Sequence, residues 1–325
     1  MHRSSKVEEH QSGGSASWST RRTVVAAVCG VLALASAGCG DRGPGTAAAT
    51  PATTEAPAAA AFPSWPLTGE IVDVIAERKA LLVRHDEIKG FMPPMTMEFR
   101  VNSGDLALAK PGQHIRATLV QEGDDYYLRQ IWVDDAATAA VLAAGAAEID
   151  ADTTERKKQF DPFRAVGELL PNLALLDQEG RIVEFKRFRG KRVVINFIYS
   201  RCPIATMCPA TTTKNQQLQQ AARTAGIGDL EIVSVSLDPT YDTPGVLKEY
   251  ASIRKIDTSN YSFVTGPERA IKQFLFQLGV IAKPDVAGIN HTLSTFLIGP
   301  DGKILFREDG PDWLPEHFLQ QLRTS

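Results

Sequence analysis

The stretch VVINFIYSRCPIATMCP, residues 193–209, decides how the rest of the chain is read. Val193–Tyr199 is a short apolar run of strand length, which reads as a buried strand. It enters a loop holding Cys202 and Cys208 with five residues between them. Pro209 fits the first turn of a helix, where a missing N–H costs nothing, so Cys208 falls at or next to the helix N-cap. Unpaired N–H groups and the helix dipole favour an anion there, which predicts a lowered thiol pKa. The spacer lets the two sulfurs close a disulfide if their Cα atoms approach within about 4.4–6.8 Å. It equally lets both face one soft ion such as Cu(I).

Working outward, residues 162–325 alternate strands with helices. A hairpin, NLALL-DQEG-RIVEF, precedes Val193–Tyr199, and later strands are predicted at Glu231–Leu237, Tyr261–Thr265, Leu293–Ile298 and Lys303–Arg307. Pro209, Pro244, Pro267 and Pro315 each fit the first position of a helix. Such alternation predicts an α/β layer fold, and a cysteine at a helix N-terminus is the placement that thioredoxin-like folds use. In that sheet the loop before Leu293 faces the cysteine loop, so His291, in G-I-N-H-T, completes a candidate Cys₂His site. The competing reading is a structural disulfide with a loop histidine making a local hydrogen bond.

These residues carry a resemblance. The run from Gly167 to Arg323 resembles the Sco/SenC family of copper proteins. The matching motifs are the strand entering R-C-P…C-P, then V-S-L-D-P-T-Y-D-T-P at Val235–Pro244, Ser262–Gly266, and N-H-T at His291. The resemblance implies a thioredoxin fold with Cys202, Cys208 and His291 as metal ligands. Family members often have three residues between the cysteines rather than five. It also implies copper delivery to the dinuclear site of cytochrome c oxidase, or reduction of that site's cysteines. Asp238 and Asp242 read as turn and cap chemistry ahead of Pro244, and Met207 as loop packing.

Residues 63–135 form a different unit. Leu67–Ile75, Ala80–His85, Met95–Val101, His114–Val120 and Tyr126–Val133 read as five short strands, separated in part by Lys110-Pro111-Gly112 and Glu122–Asp125. They predict a small all-β barrel of the OB type. Within it lies R-H-D-E-I-K-G-F-M-P-P-M-T-M-E-F, beginning at Arg84. Met95 and Met97 are two apart on a strand and so share a face. With His85 from the adjoining strand they make a soft site suited to Cu(I). Thioethers do not titrate, so this site keeps working in acid. The segment is similar to the CusF-like periplasmic copper-binding domain, whose ligands match His85, Met95 and Met97. It departs in being one residue shorter, and in placing Met92 near the position of that family's capping tryptophan. Phe91 is then a candidate for the aromatic face, and Met92 for a fourth sulfur donor. His114 and His317 read as surface residues.

The flanking segments speak to compartment. Residues 1–40 read as an export signal: Arg21 and Arg22 precede the uncharged run Thr23–Gly38, and Ser36-Ala37-Gly38 leads to Cys39. That resembles a bacterial lipoprotein signal with Cys39 lipidated, although Ser36 stands where the motif usually has Leu. A cleaved secretory signal or an uncleaved anchor are the alternatives. Residues 41–62 are an Ala/Thr/Pro-rich tether, and 136–161 an alanine-rich stretch predicted to be helical that runs into a charged segment, a linker predicted to let the domains approach.

Of 325 residues, 35 are basic and 38 acidic, which leaves no polycationic surface for a nucleic acid. Four cysteines in a chain of this size exclude a disulfide-dense mini-protein. The expectation is an extracytoplasmic, membrane-anchored Cu(I) chaperone whose partner is the oxidase copper-site subunit or another copper chaperone. Cu(II) is accommodated at the Cys/His site as well, since imidazole accepts both states. The alternatives are a thiol–disulfide oxidoreductase using Cys202 and Cys208 as its redox pair, and a copper-sequestering resistance protein.

Overall fold

A computed structural model of the protein describes residues 62–285 and 288–324. The expected export segment, most of the tether, and Cys39 lie outside the described residues. Among the described residues no helix is long and apolar enough to cross a membrane.

The first body is a closed five-stranded barrel. Its strands are β1 (Ser64–Ile75), β2 (Ala80–His85), β3 (Met95–Arg100), β4 (His114–Glu122) and β5 (Asp125–Val133), in the order β1-β2-β3-β5-β4. Alternation turns Leu67, Ile71, Leu81, Val83, Phe99, Leu119 and Leu128 into one sealed core. Gly69 lies opposite His85 in the β1–β2 ladder. A Cβ there would come within 2.6 Å of the Arg84 carbonyl, so only glycine allows the strands to close at this point. Helix α1 (Ser103–Leu108), not foreseen from the sequence, follows β3; its cap Asn102 accepts from the Asp105 N–H.

The segment read as a linker is ordered. Helix α2 (Ala136–Arg156) is capped by Asp135, which accepts from the Thr138 N–H, and it packs on the second body. Ile149 is 1% exposed and belongs to that body's core. Gly145 abuts Ala174, where a Cβ would lie 2.6 Å from the alanine methyl. Thr153 accepts from Gln277 at 2.8 Å, Asp150 pairs with Arg269 at 2.6 Å, and Asp152 pairs with Arg164. Alanines that look neutral in sequence are what let the helix lie this close to the strand beneath it.

The second body is a seven-stranded sheet of order β14-β13-β8-β9-β10-β6-β7. Here β6 is Ala174–Asp177, β7 Ile182–Glu184, β8 Arg192–Ile198, β9 Leu230–Ser236 and β10 Tyr261–Thr265; β13 is Ser294–Ile298 and β14 Ile304–Asp309. The parallel trio β8, β9 and β10 is linked by α3 (Cys208–Thr224) and α4 (Pro244–Ile253), while β13 returns antiparallel to β8. This is a thioredoxin-like α/β arrangement. Helix α5 (Glu268–Gln277) has Pro267 as its N-cap rather than its first residue, and α6 (Pro315–Thr324) ends the chain as described. A second unforeseen element is the hairpin β11 (Ala282–Asp285) and β12 (Gly288–His291), a separate two-stranded sheet. The sheet's C-terminal strand ends, where β8 and β9 release their loops, carry the cysteines, the usual ligand-bearing end of a parallel sheet.

If α2 belongs to the second body, Ile149→Ala lowers that body's unfolding free energy by about 2–4 kcal/mol, the ordinary cost of a cavity in a packed core. Urea unfolding followed by circular dichroism checks this; a free linker would show no change.

Candidate metal centres

The cysteine loop is held by a buried carboxyl group. Asp242, fully buried, accepts from the Ser200 N–H at 3.1 Å, from the Ser200 hydroxyl, and from the Ser236 hydroxyl at 2.6 Å. It therefore ties the last residue of β9 to the residue that opens the loop after β8. Burial pushes its carboxyl up to about 6, against the lowering by the two serine hydroxyls. Next along the loop, Arg201 pairs with Asp238 at 2.7 Å and lies over the Tyr241 ring at 4.5 Å. The two aspartates thus do more than shape a turn: they hold the residues immediately before Cys202.

Two successive turns then fold the five-residue spacer. The Cys202 N–H donates to the Tyr199 carbonyl at 3.2 Å, and the Met207 N–H to the Ile204 carbonyl at 3.0 Å. Cys208 becomes the first residue of α3 and is fully buried, with Sγ 3.5 Å from His291 Nε2. His291 ends β12, and its Nδ1 lies 3.2 Å from the Thr292 carbonyl. A carbonyl only accepts, so Nδ1 carries the proton and the Nε2 lone pair faces the sulfur. Burial keeps the imidazole pKa below its ordinary value, favouring this neutral form. The Tyr199 ring meets His291 edge-on at 5.9 Å, and its hydroxyl accepts from the Ile289 N–H at 3.3 Å, so the hairpin is pinned to β8.

Both cysteines are free thiols, and Cys202 is half-buried with its Sγ near the Ile204 carbonyl, 3.8 Å away. Cys208 and His291 already face one another, whereas Cys202 must turn from Ile204 to complete the set. Among the described residues no three His, Cys, Asp or Glu side chains stand together as a ready metal site. The lowered Cys208 thiol expected from its place at the helix N-terminus is not found. Burial, aided by the neighbouring Cys202, pushes it well above the ordinary cysteine range. A cavity of about 740 Å³ opens beside the loop, lined among others by Tyr199, Arg201, Pro203, Lys272 and Ile289.

In the barrel, His85 ends β2 with Met95 directly opposite and Met97 opposite Val83. The imidazole is 2% exposed; its Nδ1 lies 2.7 Å from the Asp86 carbonyl, and Nε2 is buried with no hydrogen-bonding partner. The proton is again on Nδ1, leaving an unpaired buried lone pair, which suits an ion and is costly otherwise. Met95 is 42% exposed, while Met92 and Met97 are half-buried against the core. Met92 exchanges two backbone hydrogen bonds with Ile88, at 2.9 and 3.0 Å, which closes the loop carrying Phe91.

Phe91 is stacked flat on Trp65, centroids 3.8 Å apart and planes 9° apart, with Tyr126 at its edge. Trp65, on β1, escaped the sequence reading. The alternation that turns Leu67 inward puts Trp65 on the same side, which was the available signal. His317 pairs with Glu308 at 2.7 Å and His114 is exposed, as expected of surface residues.

Comparison with known proteins bears on both bodies. Residues 165–324 match the family described as SCO1/SenC, and residues 64–133 match that of the copper binding periplasmic protein CusF. The SCO1 protein homolog of Bacillus subtilis (strain 168) is 32% identical over 146 residues, covering 43% of this chain and 72% of that protein. A SCO2-like protein of Rickettsia conorii is 30% identical over 158 residues, covering 46% and 74%. Among solved structures, a SCO1/SenC family lipoprotein from Bacillus anthracis aligns with a TM-score of 0.46 at 26% identity, over 50% of this chain and 98% of that one. Fold and site define a thioredoxin-like protein with paired cysteines and a histidine, preceded by a small β-barrel. The chain belongs to the SCO1/SenC family, with a CusF-type region ahead of the family domain.

The buried, raised Cys208 thiol keeps its proton at neutral pH while Cys202 has access to solvent. Limited iodoacetamide treatment of the reduced protein at pH 7 is expected to modify Cys202 at least tenfold faster, an order-of-magnitude figure set by thiolate fraction and access. Peptide mass spectrometry reads the ratio.

Proposed function

We propose that the protein is an extracytoplasmic, membrane-attached Cu(I) metallochaperone that supplies the dinuclear copper site of cytochrome c oxidase. The observation that carries this is shared by the two bodies. In each, a buried histidine spends its Nδ1 proton on the carbonyl of the next residue; the Nε2 of His291 then faces Cys208 Sγ, and that of His85 is left buried and unpartnered on the strand opposite Met95. Cys202, Cys208 and His291 would hold one ion, and His85, Met95 and Met97 another, with Met92 as a further donor. The copper named in the CusF description and the membership in SCO1/SenC support the same reading. Copper is cargo here: thiolates and imidazole that turn over a small loop can pass it by ligand exchange.

The test is anaerobic Cu(I) titration of the reduced protein. Wild type is expected to take up two equivalents; Cys202→Ser and His291→Ala each lose the same one, and Met95→Leu loses the other. Two equivalents retained in Cys202→Ser would overturn the Cys₂His assignment.

pH separates the sites further. Copper must displace thiol protons, so affinity at the cysteine site falls about tenfold per pH unit for each proton released as the solution is acidified. The raised Cys208 thiol places the onset of that loss at or above neutrality, whereas the thioethers have no proton to lose. Competition with a Cu(I) chelator between pH 5 and 8 is expected to show the Cys202→Ser protein, which keeps only the barrel ion, to be the less pH-dependent.

The pairing of an accessible Cys202 with a buried Cys208 also favours a second reading, thiol–disulfide exchange. The Cys202 thiolate attacks a disulfide of the oxidase copper site, expelling one partner thiolate and forming a mixed disulfide. Cys208 then attacks Cys202 Sγ, which releases the second partner thiol and leaves Cys202–Cys208 oxidised. Reduction of an oxidised copper-site peptide by wild type but not by Cys208→Ser reports this activity.

A further inference from the structure

The covalent joint between barrel and thioredoxin-like domain is very short. The Asp134 N–H still donates to the His114 carbonyl inside the barrel at 2.8 Å, and the next residue, Asp135, already caps α2. Since α2 is packed on the second domain, the barrel has no slack to drift; it can only turn about Asp134–Asp135. Away from this joint the domains meet where α4 packs mainly on α1 and, to a lesser extent, on β5. The α1–α4 contact is a backbone-to-backbone approach: a Cβ at Gly104 would lie 1.9 Å from the Gly245 carbonyl, and one at Gly245 would lie 1.9 Å from Asp105 Oδ1. Neither glycine has positive φ, so closeness and not conformation requires them. Ser103 adds a hydroxyl donated to Glu249 at 2.9 Å. A cleft of about 620 Å³, reaching Lys110, Trp132 and Glu179, borders the contact, and another of about 600 Å³, reaching Arg116, Trp132 and Thr240, borders the joint.

At the centre of the contact sits a carboxylic acid. Asp105 is 5% exposed; its side chain accepts from Asn102 Nδ2 at 2.5 Å and faces the Glu249 carboxylate of α4. The other charges bordering its cleft are Lys110 after α1, Asp135 at the joint, and Glu179 and Arg181 of the β6–β7 turn. Glu179 is held by Lys248 at 2.6 Å and Arg181 by Asp177 at 2.9 Å, so neither is turned to Asp105.

We propose that the α1–α4 contact is a proton-operated latch: with Asp105 neutral the barrel is held against the thioredoxin-like domain, and with Asp105 ionised it is released to swing about Asp134–Asp135. The charged form is disfavoured in the closed contact, because it would be buried without a cation and opposite Glu249. Desolvation and, to a lesser degree, Glu249 raise the group to about 7 when closed. Opened, it returns to the ordinary carboxylate range. The closed form therefore binds the proton more tightly, and its advantage grows as pH falls from about 7 toward 4, by up to about tenfold per unit, and is level above 7. Release lets the barrel carry its His85–Met95–Met97 face, open at Met95 even when closed, to a new orientation; this use rests on the copper reading, whereas the latch itself does not.

The test uses the metal-free full chain, so its failure is distinct from failure of copper binding. Spin labels on ketone-bearing residues placed at the exposed positions Asp124 and Lys255 spare the native cysteines. Electron–electron distance measurement is expected to give one narrow distribution at pH 5 and a broad one at pH 8. Asp105→Asn, which keeps the shape and cannot ionise, is expected to stay narrow at both. Gly245→Ala, whose methyl meets Asp105, is expected to be broad at both, with an unchanged circular dichroism spectrum showing that α4 is intact. A wild-type distribution that is the same at both pH values, or a pH response retained in Asp105→Asn, would overturn the latch.

Discussion

One buried carboxyl group, that of Asp242, is the point on which the cysteine site depends. Without it the loop that carries Cys202 begins from an unanchored serine, and Arg201–Asp238 alone is left to hold that loop to the segment after β9. The three hydrogen bonds of Asp242 come from two residues, Ser236 at the end of β9 and Ser200 in the loop after β8. Their geometry thereby transmits the register of the parallel sheet to the sulfurs. A carboxyl group so buried is expensive unless its acceptor capacity is filled. Here hydroxyl and amide donors fill it, and the arrangement is correspondingly rigid. Asp238 and Arg201 extend the same logic outward, so that only the segment from Cys202 to Met207 retains freedom to rearrange around an ion.

On the proposed copper reading, the two histidines solve one problem in two unrelated scaffolds. A metal-binding imidazole must be neutral, must present a known nitrogen, and must not be claimed by a competing donor. A backbone carbonyl one residue on provides all three at once in both bodies. With the carbonyl in place, neither imidazole needs a carboxylate behind it. The sulfur partners differ in the way their chemistry suggests. The thiols sit where helix and hairpin can adjust to a proton or a metal, and the thioethers sit on a strand of a closed barrel.

Much of this was legible in the chain. The apolar run Val193–Tyr199, the turn residues between barrel strands and the prolines ahead of helices placed nearly every regular element, because those signals are local. What escaped was non-local. Trp65 stacks on Phe91 from the strand paired with the one that precedes it, and no local spacing rule links the two. The state of Cys208 was misjudged because a helix N-terminus can be read from Pro209, whereas burial beneath His291 depends on a hairpin 83 residues later. Helix α2 was foreseen as helical, but its packing was hidden: alanine and glycine give little hydrophobic signal while permitting the closest approach, as Gly145 does against Ala174.

The strand order has a consequence for how the cysteine site comes into being. Strand β8, which delivers the cysteines, lies near the centre of the sheet, but its partner β13 is made about a hundred residues later and directly follows His291. Pairings of such long sequence separation are the slow part of folding. The helix bearing Cys208 can therefore form early, yet the imidazole arrives only when the C-terminal hairpin docks. A chain arrested before that step carries two thiols without the imidazole that faces Cys208, so on the proposed copper reading competence to hold the ion reports that folding is complete.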